Sequence, residues 1–283
     1  MFLTLGVIEI RFVKPSFKYL SGQWVWLNVP HISRMQYHPF TITSAPSDAY
    51  VSLHIRCVGD WTDELAQHVG ATPEVEETAT SSGLALSVPV NLKIHIDGPF
   101  GAPAELVYRE QAVLCVGAGI GITPWASVLK DTWYSVVGRD IDRRARLRNN
   151  AAQKIMLRRV ELIWVCQNIN QLQWFANLLD KLQQEMSQID PKCFTVHIYL
   201  TRTDRMDKVP FQLRSNTSFG RPNWDTVIGN VRAAIDAGEY MEDHPKRVGV
   251  YLCGGYRLGK ELAKTCRKYS DRKFRFRFKK EHF

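Results

Sequence analysis

The sequence predicts two domains of different class: an all-β domain over residues 1–109, followed by an α/β domain with a mostly parallel sheet over 110–283. Three observations predict this. Up to about Glu110 the apolar residues fall in short β-branched and aromatic runs broken by Pro, Gly, Ser and Asn, as strands joined by tight turns require. Beyond Glu110 apolar strands alternate with segments whose apolar residues recur every three or four positions, which is the pattern of a parallel sheet covered by helices. At the junction stands Val116-Gly117-Ala118-Gly119-Ile120-Gly121-Ile122-Thr123-Pro124, a glycine turn between a strand and a helix.

The first half reads as strands at Gly6 to Phe12, Gln23 to Val29, Tyr37 to Ser44 and Tyr50 to Cys57, with a short helix from Thr62 to Val69. Thr72 to Gly83, with Glu74, Glu76 and Glu77, reads as a loop. Leu84 to Ile96 returns to strand character, and Asp97-Gly98-Pro99-Phe100-Gly101 reads as the turn that closes the domain. In the second half the expected strands are Ala112 to Val116, Val160 to Cys166, Phe194 to Leu200, Val248 to Cys253 and Phe274 to Phe278. The expected helices are Pro124 to Trp133, Leu172 to Met186, Trp224 to Ala237 and Tyr256 to Lys268. Trp174, Phe175, Leu178 and Leu179 form a packing stripe on the second of these. Ser135 to Leu157 and Arg202 to Pro222 lack apolar periodicity and read as loops or insertions.

The 283 residues suffice for two ordinary cores, and 45% apolar with 23% charged residues is the composition of a soluble globular protein. No apolar run of 18 residues or more occurs, and Met1 to Ile10 lacks the features of a signal peptide. The six cysteines contain no CxxC pair, so they read as reduced cytosolic thiols, with no metal centre expected. The net charge of +9 is concentrated: Lys130 to Arg159 holds nine basic and three acidic residues, Lys264 to Lys280 nine basic and one acidic. Such stretches suit a membrane surface, a regulatory protein, an anionic cofactor or simply solvent. No nucleic-acid module accompanies them, so no nucleic-acid partner is expected.

Glycines at 117, 119 and 121 let the backbone turn sharply and approach a pyrophosphate, while Thr123 and Pro124 suit a helix start whose N–H groups favour an anion. A dinucleotide is the expected ligand. In His38-Pro39-Phe40-Thr41-Ile42-Thr43, His38 and Phe40 offer flat faces and Thr41 a hydroxyl, as a flavin ring needs; a barrel strand with a polar Thr pair gives the same letters. Arg56 at a strand end and Thr62 at a helix start suit a second pyrophosphate, although Thr62 also serves as a cap. Cys253-Gly254-Gly255, after a strand, lets a flat ring approach the backbone. The second strand ends in Cys166-Gln167-Asn168, without the carboxylate that holds ribose hydroxyls in NAD sites. Arg202 and Arg221 suit a 2′-phosphate instead.

Taken in order, the two flavin motifs, DGPFG, VGAGIGITP, YLCGG and the ending Lys279-Lys280-Glu281-His282-Phe283 resemble the dehydrogenase region of the NADPH oxidase family, dual oxidases included, over nearly the whole chain. The resemblance implies an antiparallel Greek-key β-barrel FAD domain, then a Rossmann-like NADPH domain, as in ferredoxin reductases. It implies a place on the cytosolic face of a membrane, beside a six-helix segment with two haems that this soluble segment lacks. Residue by residue, it implies that His38, Pro39, Phe40 and Thr41 hold the isoalloxazine, and that His54, Arg56 and Thr62 hold the ribityl-phosphate side. Gly117, Gly119, Gly121, Thr123 and Pro124 would cradle the NADPH pyrophosphate, Cys253 and Gly254 would border the nicotinamide, and Phe283 would stack on the flavin. Thr41, Cys253 and Phe283 are then the residues nearest the chemistry.

Departures from the family pattern are Gln167 where Arg is frequent, Gly255-Tyr256 where a proline follows soon after the Cys-Gly pair, and His282 where Asn is frequent. Arg202 is instead similar to the Ser-Arg pair of ferredoxin reductases. The implied activity is hydride transfer from NADPH to FAD, with electrons passing singly to haem and then dioxygen to give superoxide or peroxide. The implied partner is the protein's own transmembrane haem domain, with a regulatory domain, a calmodulin-like protein or lipid at the basic segments. Two other readings stay open: the dehydrogenase domain of a membrane ferric or metalloreductase, and a mainly regulatory docking module.

Overall fold

The computed structural model describes residues 2–4, 6–70, 86, 87, 91–137, 157–189, 193–203, 205–237 and 246–281. The segment with Glu74, Glu76 and Glu77, the basic stretch from Arg139 to Lys154, and the terminal His282 and Phe283 lie outside the described residues.

Alternating burial builds the first half. Strands β1 (Phe2–Thr4), β2 (Val7–Phe12), β3 (Trp24–Asn28), β4 (His38–Thr41), β5 (Val51–Arg56), β6 (Leu86–Ser87) and β7 (His95–Phe100) form two antiparallel sheets. Their orders are β5-β2-β1-β6 and β4-β3-β7, and an Ile42–Leu53 bridge joins them. Ile8, Ile10, Val25, Leu27, Ile42, Leu53 and Ile55 turn inward, and helix α1 (Asp60–His68) closes the core with Trp61 and Leu65. Where the sequence suggests a turn at Asp97 to Gly101, the chain instead runs as β7 against Trp24 and Trp26, with a register irregularity there. Gly98 makes this possible: its φ is +127°, and a Cβ would lie 3.1 Å from the Phe100 ring and 3.3 Å from the Trp24 carbonyl oxygen. Strand β1 carries no sequence signal of its own, being three residues long.

The second half is one parallel sheet of β8 (Ala112–Ala118), β9 (Arg159–Cys166), β10 (Phe194–Leu200), β11 (Thr217–Phe219), β12 (Lys246–Cys253) and β13 (Phe274–Lys280). Its order is β11-β10-β9-β8-β12-β13. Helices α2 (Thr123–Val137) and α3 (Ala176–Ile189) cover one face, α4 (Trp224–Asp236) and α5 (Tyr256–Lys268) the other. The pleat divides each strand between them: Val113 and Cys115 enter the first core, Leu114 and Val116 the second. Two sequence readings change. The helix expected from Leu172 opens as a 3-10 turn over Ile169–Trp174, capped by Asn168, and α3 begins only at Ala176. The stretch expected to be a loop from Arg202 to Pro222 contains β11, an edge strand too short for periodicity to reveal. Ala104 and Val107, in the turn before β8, pack into the α2 and α3 core together with Val7.

Candidate functional site

Strand order reverses between β8 and β12, so their carboxyl ends border the crevice in which open α/β sheets bind ligands. The glycine turn closes β8 there. Gly119 takes φ +55°, and the carbonyls around it are fixed by indoles: Trp164 donates to the Gly119 oxygen at 2.9 Å and Trp125 to the Val116 oxygen at 3.0 Å. A Cβ on Gly117 would sit 3.0 Å from the Gly121 oxygen. One on Gly121 would collide with the Cys253 carbonyl oxygen and lie 2.9 Å from its carbon and 3.2 Å from its sulfur. Gly117 and Cys253 are also register partners across β8 and β12. A Cβ on Gly254 would touch Ala118 at 3.0 Å. Gly117, Gly121, Cys253 and Gly254 are therefore assembled into one floor, with buried Thr123 and Pro124 opening α2 beside it.

A carboxylate that the sequence reading passed over joins this floor. Glu281 is 3% exposed; its backbone N–H extends the β13 pairing by donating to the Leu252 oxygen at 2.8 Å, and one carboxylate oxygen accepts the Ala104 N–H at 2.7 Å. The other oxygen is buried without a partner. Burial raises the carboxyl to about 7 and pushes the Cys253 thiol up to about 12, with the neighbouring Glu281 charge adding to the latter. Near pH 7 the floor therefore holds a neutral thiol and a carboxyl that takes or releases a proton. Nothing in the run Lys279-Lys280-Glu281 marks this; only the end of β13 against β12 turns Glu281 inward.

On the β side, β4 presents two faces. His38 and Phe40 lean on Trp61, with ring centroids 4.3 Å and 6.1 Å away. Pro39 and Thr41 alternate with them, and Thr41 faces its register partner Trp24. His38 Nε2 and the Trp61 indole N–H are buried without a partner, and burial lowers the His38 pKa. Unpaired groups of this kind are costly unless a ligand satisfies them, so the β4 and α1 region fits a cofactor rich in oxygen and nitrogen, as FAD is. Arg56 is exposed at the end of β5, with no ion pair among the described residues. The Thr62 hydroxyl is already engaged: it accepts from the Val58 and Gly59 N–H groups at 2.9 and 3.1 Å and donates to the Gly59 oxygen at 2.8 Å.

His54 sits apart from both. Its Nδ1 meets the Thr43 hydroxyl at 2.8 Å, its ring lies 4.6 Å from Phe175, and burial lowers its pKa to about 4. It lines a cavity of about 300 Å³ between the two halves, together with Arg11, Tyr50, Lys130 and Trp174. At the other end of the crevice the Arg202 N–H bonds the Gln167 oxygen at 3.0 Å beyond β10, and Arg221 follows Gly220, φ +84°, beyond β11. Both arginines are, among the described residues, without an ion pair. Phe283 lies outside the described residues.

Comparison with known proteins matches a different family in each half. Residues 2–104 match the FAD-binding domain family, and residues 110–267 match the ferric reductase NAD binding domain family. NADPH oxidase 1 of Rattus norvegicus is 35% identical over 98% of this chain and 46% of its own length. NADPH oxidase 3 of Homo sapiens is 33% identical over 98% and 47%, and NADPH oxidase 4 of Homo sapiens 32% over 98% and 44%. The chain thus spans about half the length of the relatives it matches. Among solved structures, a ferredoxin NADP+ reductase from Neisseria gonorrhoeae with bound FAD and NADP shares the fold at TM-score 0.57 and 14% identity, over 96% of this chain and 92% of that one. The ferredoxin-NADP+ reductase of Plasmodium falciparum with 2′P-AMP does so at 0.57 and 12%, over 99% and 93%. With an FAD-binding half ahead of it, the chain belongs to the ferric reductase NAD binding domain family, and along 98% of its length it is similar to NADPH oxidases.

Proposed function

We propose that the chain oxidises NADPH with FAD as its resident cofactor, supplying the cytosolic half of an NADPH oxidase. The observation that carries this reading is the close packing of Gly121 on Cys253, which brings the glycine turn and the end of β12 together at the switch point of the sheet. Bound beside β4, FAD would supply the ability to take one hydride and release its two electrons one at a time. The protein's own residues do the rest. The glycine turn and the first N–H groups of α2 hold the pyrophosphate, and Cys253 and Gly254 border the nicotinamide, Cys253 with an uncharged thiol. Glu281 holds a proton next to it. Arg56 neutralises the flavin's phosphates, and Arg202 and Arg221 take the 2′-phosphate. In a longer protein that also held membrane haems, those haems would accept the electrons and pass them to dioxygen, and the basic segments would meet lipid or a regulatory partner. Among the described residues no helix is long and apolar enough to cross a membrane.

A second reading, a membrane ferric or metalloreductase, is favoured by the family matched over residues 110–267; it shares every step above and differs only in the acceptor. The test is anaerobic. The protein loaded with FAD absorbs at about 450 nm, as oxidised flavins do, and bleaches on adding NADPH; absence of bleaching with both cofactors present overturns the reading. Arg202→Ala and Arg221→Ala raise the NADPH concentration needed by roughly 10-fold while leaving NADH use unchanged. An equal loss with both nucleotides removes the assigned role.

A further inference from the structure

The helix that opens on the glycine turn is fastened to the turn that follows the flavin strand. Four residues of α2 spaced three, one and three apart, Ser127, Lys130, Asp131 and Tyr134, lie along one stripe of the helix, and all four reach across to the β domain. Ser127 donates to the Ser44 carbonyl oxygen at 2.7 Å. Lys130 pairs with Asp48 at 2.6 Å, and the Tyr134 hydroxyl donates to the other Asp48 oxygen at 2.9 Å. Asp131 accepts from Ser21 at 2.7 Å and from Tyr108 at 2.8 Å. The receiving turn is itself rigid: Asp48 accepts the Ala45 N–H at 2.8 Å, while Tyr19 holds the Ser44 hydroxyl at 2.8 Å and the Ala45 oxygen at 2.7 Å. Ser44 stands three residues after Thr41, and Ser127 four residues after Thr123.

An apolar stripe would bind the two halves as firmly, but it would tolerate sliding and rotation. Directed hydrogen bonds do not. Ser127 is 0% and Asp131 1% exposed, so these bonds are made out of water, where losing one partner is costly. We infer that Ser127, Lys130, Tyr134 and Asp48 are positioning residues for hydride transfer: they fix the offset between the nucleotide floor at the head of α2 and the flavin strand β4. The inference rests on the two-cofactor reading above. It adds that the two sites are held in register by one latch, and that their separation is not set by the cofactors alone.

The test uses the full chain with Ser127→Ala, Lys130→Met and Tyr134→Phe combined, which leaves the Asp48 turn and all cofactor-facing residues intact. With FAD and NADPH saturating, anaerobic bleaching slows roughly 10- to 100-fold, the range expected for a misplacement of about an ångström. FAD and NADPH affinities change less than about 2-fold, and the single Lys130→Arg keeps the native rate. A native rate in the triple variant, or a loss accounted for by weaker cofactor binding, overturns the inference. Hydrogen–deuterium exchange reads the latch without turnover: α2 and residues 44–48 lose protection together in the triple variant while β8 and β12 keep theirs. If the native protein itself fails to bleach, the two-cofactor reading falls, and the latch stands or falls on whether that paired loss of protection occurs.

Discussion

The nucleotide end of the molecule is built of backbone, and the flavin end of side chains. At the ends of β8 and β12 the contacts that matter run between Gly117, Gly121 and Cys253 main-chain atoms, and two indoles hold the turn's carbonyls. At β4 the surface is made by His38, Phe40 and Trp61 leaning on one another, with two of their nitrogens unpartnered. A backbone site exists as soon as the sheet folds and has no slack. A side-chain site keeps rotamers to spend when the ligand arrives, and its orphaned donors are the mark of that unfinished state.

The sharpest way to break the contrast is Gly121→Ala. Its methyl group would strike the Cys253 carbonyl, a main-chain atom that cannot move without dragging β12. Expected are a loss of about 1–3 kcal/mol in thermal stability and a fall in NADPH-dependent flavin bleaching of roughly 100-fold or more, with FAD still bound. If Gly121→Ala bleaches at the native rate, the floor is not where nicotinamide approaches.

Glu281 in the nucleotide floor and His54 in the cavity between the two halves respond to pH with opposite sign. Glu281 is raised from 4.5 to about 7 by burial. Its contribution, roughly 3 kcal/mol, is therefore complete below pH 4.5 and disappears as the pH rises through about 7. His54, lowered from 6.5 to about 4, contributes above pH 6.5 and loses that contribution as the pH falls towards 4. The two windows overlap, so the slopes oppose each other: Glu281→Gln should make a plot of urea midpoint against pH rise more steeply between about 4.5 and 7, and His54→Gln should make it fall between about 4 and 6.5. A variant that leaves the slope in its own window unchanged refutes the corresponding assignment.

Trp61→Phe probes the flavin end more gently. The ring remains to carry His38 and Phe40, but the orphan indole N–H is gone. Apoprotein stability should hold within about 1 kcal/mol, because an unpartnered donor has been removed. FAD affinity, measured by fluorescence titration, should fall roughly 5-fold, one lost hydrogen bond's worth. Unchanged affinity would mean that this N–H does not meet the cofactor.

Legibility in the sequence follows the same division. Strand Phe194 to Leu200 and the helix Tyr256 to Lys268 are visible because stronger burial on one side imposes a period, and Ala112 to Val116 because burial on both faces makes it a continuous apolar run. The glycine turn is visible because only glycine permits the backbone approach. Glu281 is not: its carboxyl is turned inward by the pairing of β13 with β12, a contact across 29 residues of sequence between Leu252 and Glu281. The α2 latch is hidden for a related reason. Ser127, Lys130, Asp131 and Tyr134 read as an ordinary polar helix face, and only the arrival of Ser44, Ser21 and Asp48 from the other domain makes that face an interface. The turn expected at Asp97 to Gly101 fails because Gly98 relieves a strand against Trp24 instead of bending away from it.

The smallest expected effect separates two residues that the sequence treats as equals. Arg56 and Thr62 both suit a flavin pyrophosphate, yet the Thr62 hydroxyl makes three bonds to the Val58–Gly59 backbone, while Arg56 is exposed without an ion pair among the described residues. Thr62→Val should therefore act on the helix start, lowering stability by about 1 kcal/mol, the usual worth of a cap. FAD affinity should then weaken only as far as α1 frays. Arg56→Gln should do the reverse, leaving the melting temperature unchanged while weakening FAD roughly 10-fold through loss of a charge-assisted contact. If Thr62→Val weakens FAD as much as Arg56→Gln does, with the apoprotein melting normally, the hydroxyl must leave its backbone partners when the cofactor binds. The side-chain character of the flavin end would then extend to the helix start itself.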